Sequence, residues 1–363
     1  MRRSASFLAV PVFAAASSLP VASGCAGSDG GSPFDTGDAG GAPLPQIESD
    51  GAVLYNPPPE WSGSLPLLIG KGERAISLAI DSATVYWQSG GGPVYGCALS
   101  GCPSAKPTLL SSLVGPQYGA LQTLGAGDGI GVFVSLSGTT LSAFAGDDPA
   151  HSPTPYRVTG GSGFTSLVTD ATHVYFIDTL PDASAVYGVA QTLYACPLGA
   201  SCSSPQKLYA DPSLGPLCVS DSEVFFLASG TSIRAVSTHG GKARTVCSSS
   251  TLLTQVQALS VAGGYVYFTT ADYPAFVYQC PASGGEPSVY LTDLQPYALA
   301  NDGANLYWTN YLNGPGSVVT CPVGATCNAP RTVALNQDLV FAIAANATSV
   351  FWTTSTSVYR ADK

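Results

Sequence analysis

From about residue 65 onward the chain repeats one hydrophobic pattern. An alternating run such as "LALAND" is followed by turn residues and then by an apolar–aromatic–aromatic cluster. Alternation with a period of two predicts β-strands, because successive side chains of a strand point to opposite faces of a sheet. The clusters lie at Val85–Trp87, Val132–Val134 (a weaker copy, "VFV"), Val174–Phe176, Val224–Phe226, Val266–Phe268, Leu306–Trp308 and Val350–Trp352.

The spacing of these clusters predicts the architecture. Their middle residues are 47, 42, 50, 42, 40 and 44 residues apart. Each unit also has a third strand, such as "VYGC" from Val94, and a fourth, such as "SVYLTD" from Ser288. Repeats of roughly 40–50 residues with four short strands are typical of propeller blades. We therefore predict an all-β fold, a seven-bladed β-propeller of four-stranded blades. The alternatives are a six-bladed ring that absorbs the weak unit, or two separate sandwiches.

The two ends of the repeating region complement each other. The last unit lacks a fourth strand before Lys363, whereas Leu65–Ala79 matches the fourth strand and following run at Ser288–Ala300. We expect this N-terminal strand, Leu65–Lys71, to pair beside Ser357–Ala361 in the last blade. Such pairing closes a ring and leaves no exposed sheet edge there.

The segment "LYWTN" at Leu306–Asn310 resembles the YWTD-type propellers of low-density-lipoprotein receptors. The repeats also look like bacterial NHL-type and Tol-type propellers. The resemblance covers about 300 residues, and its motifs are structural. It implies the fold, with the aromatic residues packed between blades. Members of those families bind proteins or peptides at one face, and some propellers are enzymes, so function follows only by analogy.

The N-terminus predicts export. Arg2 and Arg3 precede an apolar stretch, Phe7–Ala22, that is too short and too interrupted by proline for a lasting membrane span. The following "VASGC" resembles the bacterial lipobox, which implies cleavage before Cys25 and lipidation of that residue; an ordinary signal peptide with an incidental cysteine is the alternative. Ala26 then favours the outer membrane. We expect a signal peptide at 1–24, a lipidated Cys25 with a Gly/Pro/Asp-rich tether at 25–50, and the propeller at 51–363. The expected location is an outer-membrane lipoprotein of the cell envelope, on the periplasmic or surface face.

The composition and charge of the chain disfavour some classes of binding partner. Lys and Arg number 13 and Asp and Glu 23, so removing Arg2 and Arg3 leaves 11 against 23, a net charge of −12. Such a balance disfavours nucleic acid and anionic headgroups, so we expect membrane contact through the lipid anchor only. The 41 Gly and 28 Pro residues disfavour a helical fold. We expect a monomer with an envelope protein or a carbohydrate as its partner.

The spacing of the cysteines predicts turns that are closed by disulfides. Pairs lie where the third strand of a unit turns into its fourth: Cys97 and Cys102, Cys196 and Cys202, Cys321 and Cys327. Zinc binding needs two pairs that converge, so an exported chain favours three local disulfides instead. In two other units Gly-Gly stands in this turn, which leaves Cys280 at the stapled position without a partner. Cys218 is expected as a small buried residue of an inner strand, and Cys247 has no assigned role.

Catalytic motifs are absent from the sequence. It contains no GxSxG elbow, HExxH helix, P-loop, or GxGxxG after a strand. Asp147 and Asp148 adjoin His151 in one loop, and we interpret them as a solvated insertion. His173 and His239 occupy non-equivalent positions in other units. Asp81, Asp170, Asp221 and Asp302 occupy the turn before the aromatic cluster, where a carboxylate can accept bonds from nearby amides. We expect no metal, no cofactor and no catalytic residues.

The loops between the second and third strands vary in length and carry Tyr, Asp and Asn. Rigid scaffolds commonly place binding residues on such loops. The candidate binding residues are Asp178, Tyr187, Tyr273, Tyr311 and Asn313. The sequence thus predicts an exported, membrane-anchored, non-catalytic propeller that binds or scaffolds an envelope protein or glycan. The alternative is an exported polysaccharide hydrolase or lyase, which as a glycosidase needs two carboxylates about 5–10 Å apart.

Overall fold

The computed structural model describes residues 65–363, except 72–74, 90–92, 112–123, 128–129, 135–139, 146–153, 159–162, 182–188, 199–201, 254, 272–274, 293–294, 311–314, 325 and 329. The predicted signal peptide, Cys25, the tether and the propeller boundary at residue 51 therefore lie outside the described residues. The described part is built of β-strands and one 3₁₀ turn, Pro103–Ala105. None of its helical segments is long and apolar enough to cross a bilayer.

The strands form four-stranded antiparallel sheets, which we call blades. Blades 1 to 3 contain β2 (Ala75–Ile80), β3 (Thr84–Ser89), β4 (Val94–Ala98) and β5 (Thr108–Ser111); β6 (Leu124–Gly127), β7 (Ile130–Val134), β8 (Thr140–Ala145) and β9 (Thr154–Val158); β10 (Gly163–Thr169), β11 (His173–Pro181), β12 (Val189–Pro197) and β13 (Gln206–Asp211). Blades 4 to 6 contain β14 (Leu214–Val219), β15 (Glu223–Ala228), β16 (Ser232–Ser237) and β17 (Arg244–Ser248); β18 (Val256–Ala262), β19 (Tyr265–Thr270), β20 (Phe276–Pro281) and β21 (Ser288–Thr292); β22 (Pro296–Asn301), β23 (Asn305–Asn310), β24 (Gly316–Pro322) and β25 (Arg331–Gln337). Blade 7 contains β26 (Ile343–Ala345), β27 (Ser349–Thr353), β28 (Ser357–Asp362) and, as its outer strand, β1 (Leu67–Lys71).

The innermost strands of the blades contact one another in the cyclic order β2, β6, β10, β14, β18, β22, β26 and back to β2. Strand β1 pairs with β28 in antiparallel register, from Leu67 opposite Arg360 to Lys71 opposite Ser357. The described sheets are therefore seven in number, and the second sheet is separate rather than absorbed into a neighbour.

The structure describes the side chains of blade 2 only at residues 140–143. One bound of the predicted closing strand is corrected. The closing strand begins at Leu67 rather than at Leu65, and Leu65 lies outside it with 87% of its surface exposed.

The repeated clusters form the contacts between blades. In blade 6, Leu299 and Trp308 pack against blade 5, whereas Ala300 and Tyr307 face blade 7. Each face of a blade thus combines a residue of the first strand with an aromatic residue of the second, and these side chains pack closely against the neighbouring blade. Trp87, Trp308 and Trp352 are fully buried, which agrees with the expected packing of the aromatic residues between blades.

Candidate binding face

Antiparallel strands place the connections of each blade at two opposite ends of the ring. One end, the loop face, carries the connections between second and third strands and those between blades. The other end, the turn face, carries the connections between first and second and between third and fourth strands. Of the sequence-predicted binding residues the structure describes Asp178, which lies in β11 toward the loop face.

The loop face is uneven. In blade 4 the connection is a tight turn, Ser229–Thr231, in which the Thr231 amide donates to the Ala228 carbonyl at 3.3 Å. In blade 3, by contrast, β11 and β12 are nine residues each and remain paired as far as Pro181 and Val189. Their flanking strands stop pairing at Thr179 and Gln191, so the β11–β12 hairpin projects beyond its sheet. A raised hairpin therefore stands beside a low turn.

Buried polar side chains lie at the loop-face end of the second strands. They occupy one repeat position, four residues after the start of the aromatic cluster, and we call them the polar collar. Its members are Ser89, Asp178, Thr270, Asn310 and Thr354, each no more than 5% exposed. In blade 4 the equivalent residue is Ala228. The sequence analysis singled out only Asp178 of this set, although the other members can be found by aligning the repeats.

The members of the collar differ in their local bonding. The Thr354 hydroxyl donates to the Ser357 carbonyl at 3.2 Å and accepts from the Ser357 amide at 3.1 Å, so it closes its own turn. The Asn310 amide donates to the Ser317 hydroxyl at 3.3 Å. The Ser89 hydroxyl is buried and has no hydrogen-bond partner among the described residues. Buried polar groups that the fold does not fully satisfy are candidates for water or ligand binding.

Asp178 is the charged member of the collar. The sequence placed it in a loop, but the structure places it within β11, opposite Phe164 and Thr192 and with none of its surface exposed. The loop assignment was wrong because the hairpin strands continue through it. A fully buried carboxylate is uncommon in proteins, and such groups concentrate at functional sites.

The other predicted binding residues, Tyr187, Tyr273, Tyr311 and Asn313, lie outside the described residues. The same holds for Asp147, Asp148 and His151. His173 and His239 belong to the turn face, where each is next to a threonine hydroxyl. The innermost strands contain no Asp, Glu or His, and the described residues include no cluster of three or more metal-ligating side chains.

The turn face is occupied by contacts that hold the fold. Asp170 accepts the amides of Thr172 and His173, both at 2.7 Å, and the Tyr175 hydroxyl at 2.7 Å. Burial alone raises the pKa of Asp170, but these hydrogen bonds outweigh burial and its pKa is lowered. Burial and the Asp170 carboxylate together raise the pKa of Tyr175. Asp81 with Tyr86, and Asp302 with Tyr307, repeat this arrangement.

The role predicted for Asp221, in the turn before the aromatic cluster of blade 4, needs one correction. In blade 4 the capping residue is Ser220, which accepts the Glu223 amide at 3.1 Å, and Asp221 is exposed one position later. The aromatic residue five positions on is Phe225, which has no hydroxyl to donate. Blade 5 differs again, because Ala262 stands five positions before Tyr267, whose hydroxyl donates to the Gly324 carbonyl at 3.0 Å.

The cysteine turns also belong to the turn face. The disulfides Cys97–Cys102, Cys196–Cys202 and Cys321–Cys327 are present as expected. Cys218 is a free, buried thiol of β14, also as expected. The expectation that Cys280 has no partner was wrong, because it is bonded to Cys247 of the preceding blade. The two cysteines are 33 residues apart in the sequence, and the spacing of cysteines within one repeat does not predict such a pair.

The comparisons with known proteins agree with this fold. No family model matches the sequence, and no curated protein matches it significantly. Among solved structures the chain is similar to oligogalacturonate lyase from Vibrio parahaemolyticus, with a TM-score of 0.55 and 12% identity over 81% of this chain and 91% of that one. It is also similar to BamB from Moraxella catarrhalis (TM-score 0.51, 10% identity, 80% and 85% covered) and to the computationally designed Ika8 protein (0.51, 15%, 83% and 100%). At these identities the likeness shows the fold alone, a β-propeller.

Proposed function

We propose that this chain is an exported propeller lipoprotein whose loop face binds or scaffolds an envelope protein or glycan without catalysis. The observation that carries the proposal is the contrast between the two ends of the ring. The turn face carries carboxylate–tyrosine pairs and disulfides, most of which stabilise the turns of single blades. The loop face instead combines unequal loops with a collar of buried polar side chains, which suits recognition.

The proposal also includes export and membrane anchoring of the chain. Four disulfides in the described part of the chain favour an oxidising compartment. The "VASGC" segment supports cleavage before Cys25, lipidation there, and a flexible tether to residue 50 that lets the propeller reach its partner. We further propose that the repeats are of the YWTD-like type, on the strength of Leu306–Asn310.

Binding is tested by adding a bulky charge to each face in turn. Thr231 is exposed in the tight loop-face turn of blade 4, and Ser283 is exposed on the turn face of blade 5. Thr231→Arg, and separately Tyr273→Ala with Tyr311→Ala, should weaken recovery of the partner from envelope extract at least tenfold. Ser283→Arg is the matched control and should leave recovery unchanged. Equal recovery by all variants, at unchanged melting temperature, contradicts loop-face binding.

The buried carboxylate of Asp178 favours one second candidate, a polysaccharide hydrolase or lyase. The test is degradation of a polysaccharide panel by the purified chain. Activity that disappears in Asp178→Asn, while binding persists, replaces the non-catalytic proposal. Binding without degradation supports it.

A further inference from the structure

One disulfide differs from the others in what it connects. Cys247 lies in β17, the outer strand of blade 4, and Cys280 lies in β20, the third strand of blade 5, with Cα atoms 6.4 Å apart. The other three disulfides described join residues 5 or 6 apart within one blade. Among the disulfides of the described residues, Cys247–Cys280 is therefore the one that joins two different blades.

Cys280 occupies the position of the turn disulfides. It lies opposite Val266, the first residue of its aromatic cluster, as Cys97 lies opposite Val85. What differs is its partner. The connection after β20 is a short turn with Gly284 at a φ of +118°, and it has no second cysteine.

The inter-blade bond lies at a docking contact that other blades make without covalent linkage. In blade 5 the Gly285 amide donates to the Val246 carbonyl of blade 4 at 2.9 Å, next to Cys247. In blade 6 the Cys327 amide makes the equivalent bond to the Tyr290 carbonyl of blade 5 at 3.2 Å. The blade 4–blade 5 joint is therefore the one described joint where the same contact is reinforced by a disulfide across it.

We propose that Cys247–Cys280 is a redox lock on this joint, which closes after blades 4 and 5 have docked and then holds them together. Loop-closure entropy for a separation of 33 rather than 6 residues lowers the effective concentration of the two thiols about tenfold before docking. Both cysteines are also almost fully buried once docked, at 2% and 0% exposure. In closure, two thiols form one S–S bond and pass two electrons and two protons to a disulfide oxidant, which is reduced to two thiols.

The lock makes the rigidity of the ring depend on the redox state of the compartment. Where thiols stay reduced, the joint is held by non-covalent contacts, which include packing and the Gly285–Val246 hydrogen bond. Arrival in an oxidising compartment adds the covalent bond. This inference is independent of what the loop face binds.

The order of closure is measured by oxidative refolding of the full chain carrying Cys25→Ser. The reduced chain is refolded in oxidised and reduced glutathione, quenched with an alkylating reagent at intervals, and mapped by mass spectrometry. We expect the three turn disulfides first and Cys247–Cys280 last, after the amides of β17 and β20 have become protected from hydrogen exchange. Formation of Cys247–Cys280 before that protection overturns the proposal.

The effect of the lock is measured by hydrogen exchange of the folded chain. Cys247→Ala with Cys280→Ala should raise exchange at least tenfold in β17, β20 and β21 while distant blades keep their protection. Cys321→Ala with Cys327→Ala is the matched control and should affect blade 6 and its contact with β21, but not β17. Unchanged exchange in β17 and β20 of the first variant contradicts a lock at this joint.

Discussion

Asp302 joins the turn of blade 6 to the last blade, and replacing it should be costly. Its Oδ1 accepts the amides of Ala304 and Asn305 at 2.8 and 2.6 Å, and its Oδ2 accepts the Tyr307 hydroxyl at 2.9 Å. The same Oδ2 forms an ion pair with Lys363, whose ammonium lies 4.7 Å from the Tyr307 ring centroid. The Asp302 and Lys363 side chains are only 5% and 16% exposed, so solvent screens the pair little.

Asp302→Ala should lower the free energy of unfolding by about 4–6 kcal/mol. Loss of the three hydrogen bonds accounts for about 1 kcal/mol each, and leaving the buried Lys363 ammonium with the Asn346 carbonyl but without its carboxylate adds about 1–3 kcal/mol. Asp302→Ala with Lys363→Met removes that stranded charge and should recover about 1–2 kcal/mol. Asp221→Ala, at the exposed position of the blade 4 turn, is the control and should cost less than about 0.5 kcal/mol. Denaturant unfolding followed by tryptophan fluorescence measures all three.

The same carboxylate should make stability depend on acid pH. Burial raises the pKa of Asp302, but the bonds from Lys363 and the Asn305 and Ala304 amides lower it further than burial raises it, so the net shift is downward. A lowered folded-state pKa stabilises the fold above the unfolded value of about 3.9, and this contribution disappears as pH falls through the folded value. The wild type should thus lose its advantage over Asp302→Ala below about pH 4. Equal costs for Asp302→Ala and Asp221→Ala, or a pH-independent difference, refute the reasoning.

Two further substitutions test other parts of the structure. Gly263 has a φ of +56°, and a Cβ there would lie 2.2 Å from Cγ1 of Val323 in the next blade, whereas Gly303 has a φ of +87° with open space around it. In unfolding measurements Gly263→Ala should therefore cost about 2–3 kcal/mol, against about 1 kcal/mol for Gly303→Ala; equal costs would show that the clash relaxes. Cys25→Ser should abolish acyl labelling and release the chain from membranes, and an unlabelled, membrane-free wild type contradicts the lipobox interpretation.

Much of the fold follows from the repeats because they are physical repeats of one packing unit. The aromatic clusters recur at similar spacing, since most blades present Trp or Phe to one neighbour and Tyr or Phe to the other. The pairing of β1 with β28 follows from the similarity of Leu65–Ala79 to Ser288–Ala300. The exact start of β1 does not follow, because a short apolar run leaves the boundary of a strand open.

The candidate site was less accessible to sequence reasoning. Asp178 was singled out for its acidity in a variable segment, yet it is buried in a strand, because the hairpin of blade 3 extends two pairs beyond its neighbours. The Cys247–Cys280 bond connects positions that only docking of two blades brings together. Both cases depend on contacts between units, which periodicity within a unit does not encode.

Site-specific photo-crosslinking in intact envelopes tests most directly whether the loop face is the recognition surface. A photoreactive amino acid is placed at Thr231 on the loop face and, separately, at Ser283 on the turn face, both of which are exposed. The account predicts that irradiation links a discrete envelope protein or glycan to the chain from position 231 and yields no such adduct from position 283. A discrete adduct from position 283, with none from position 231, contradicts it.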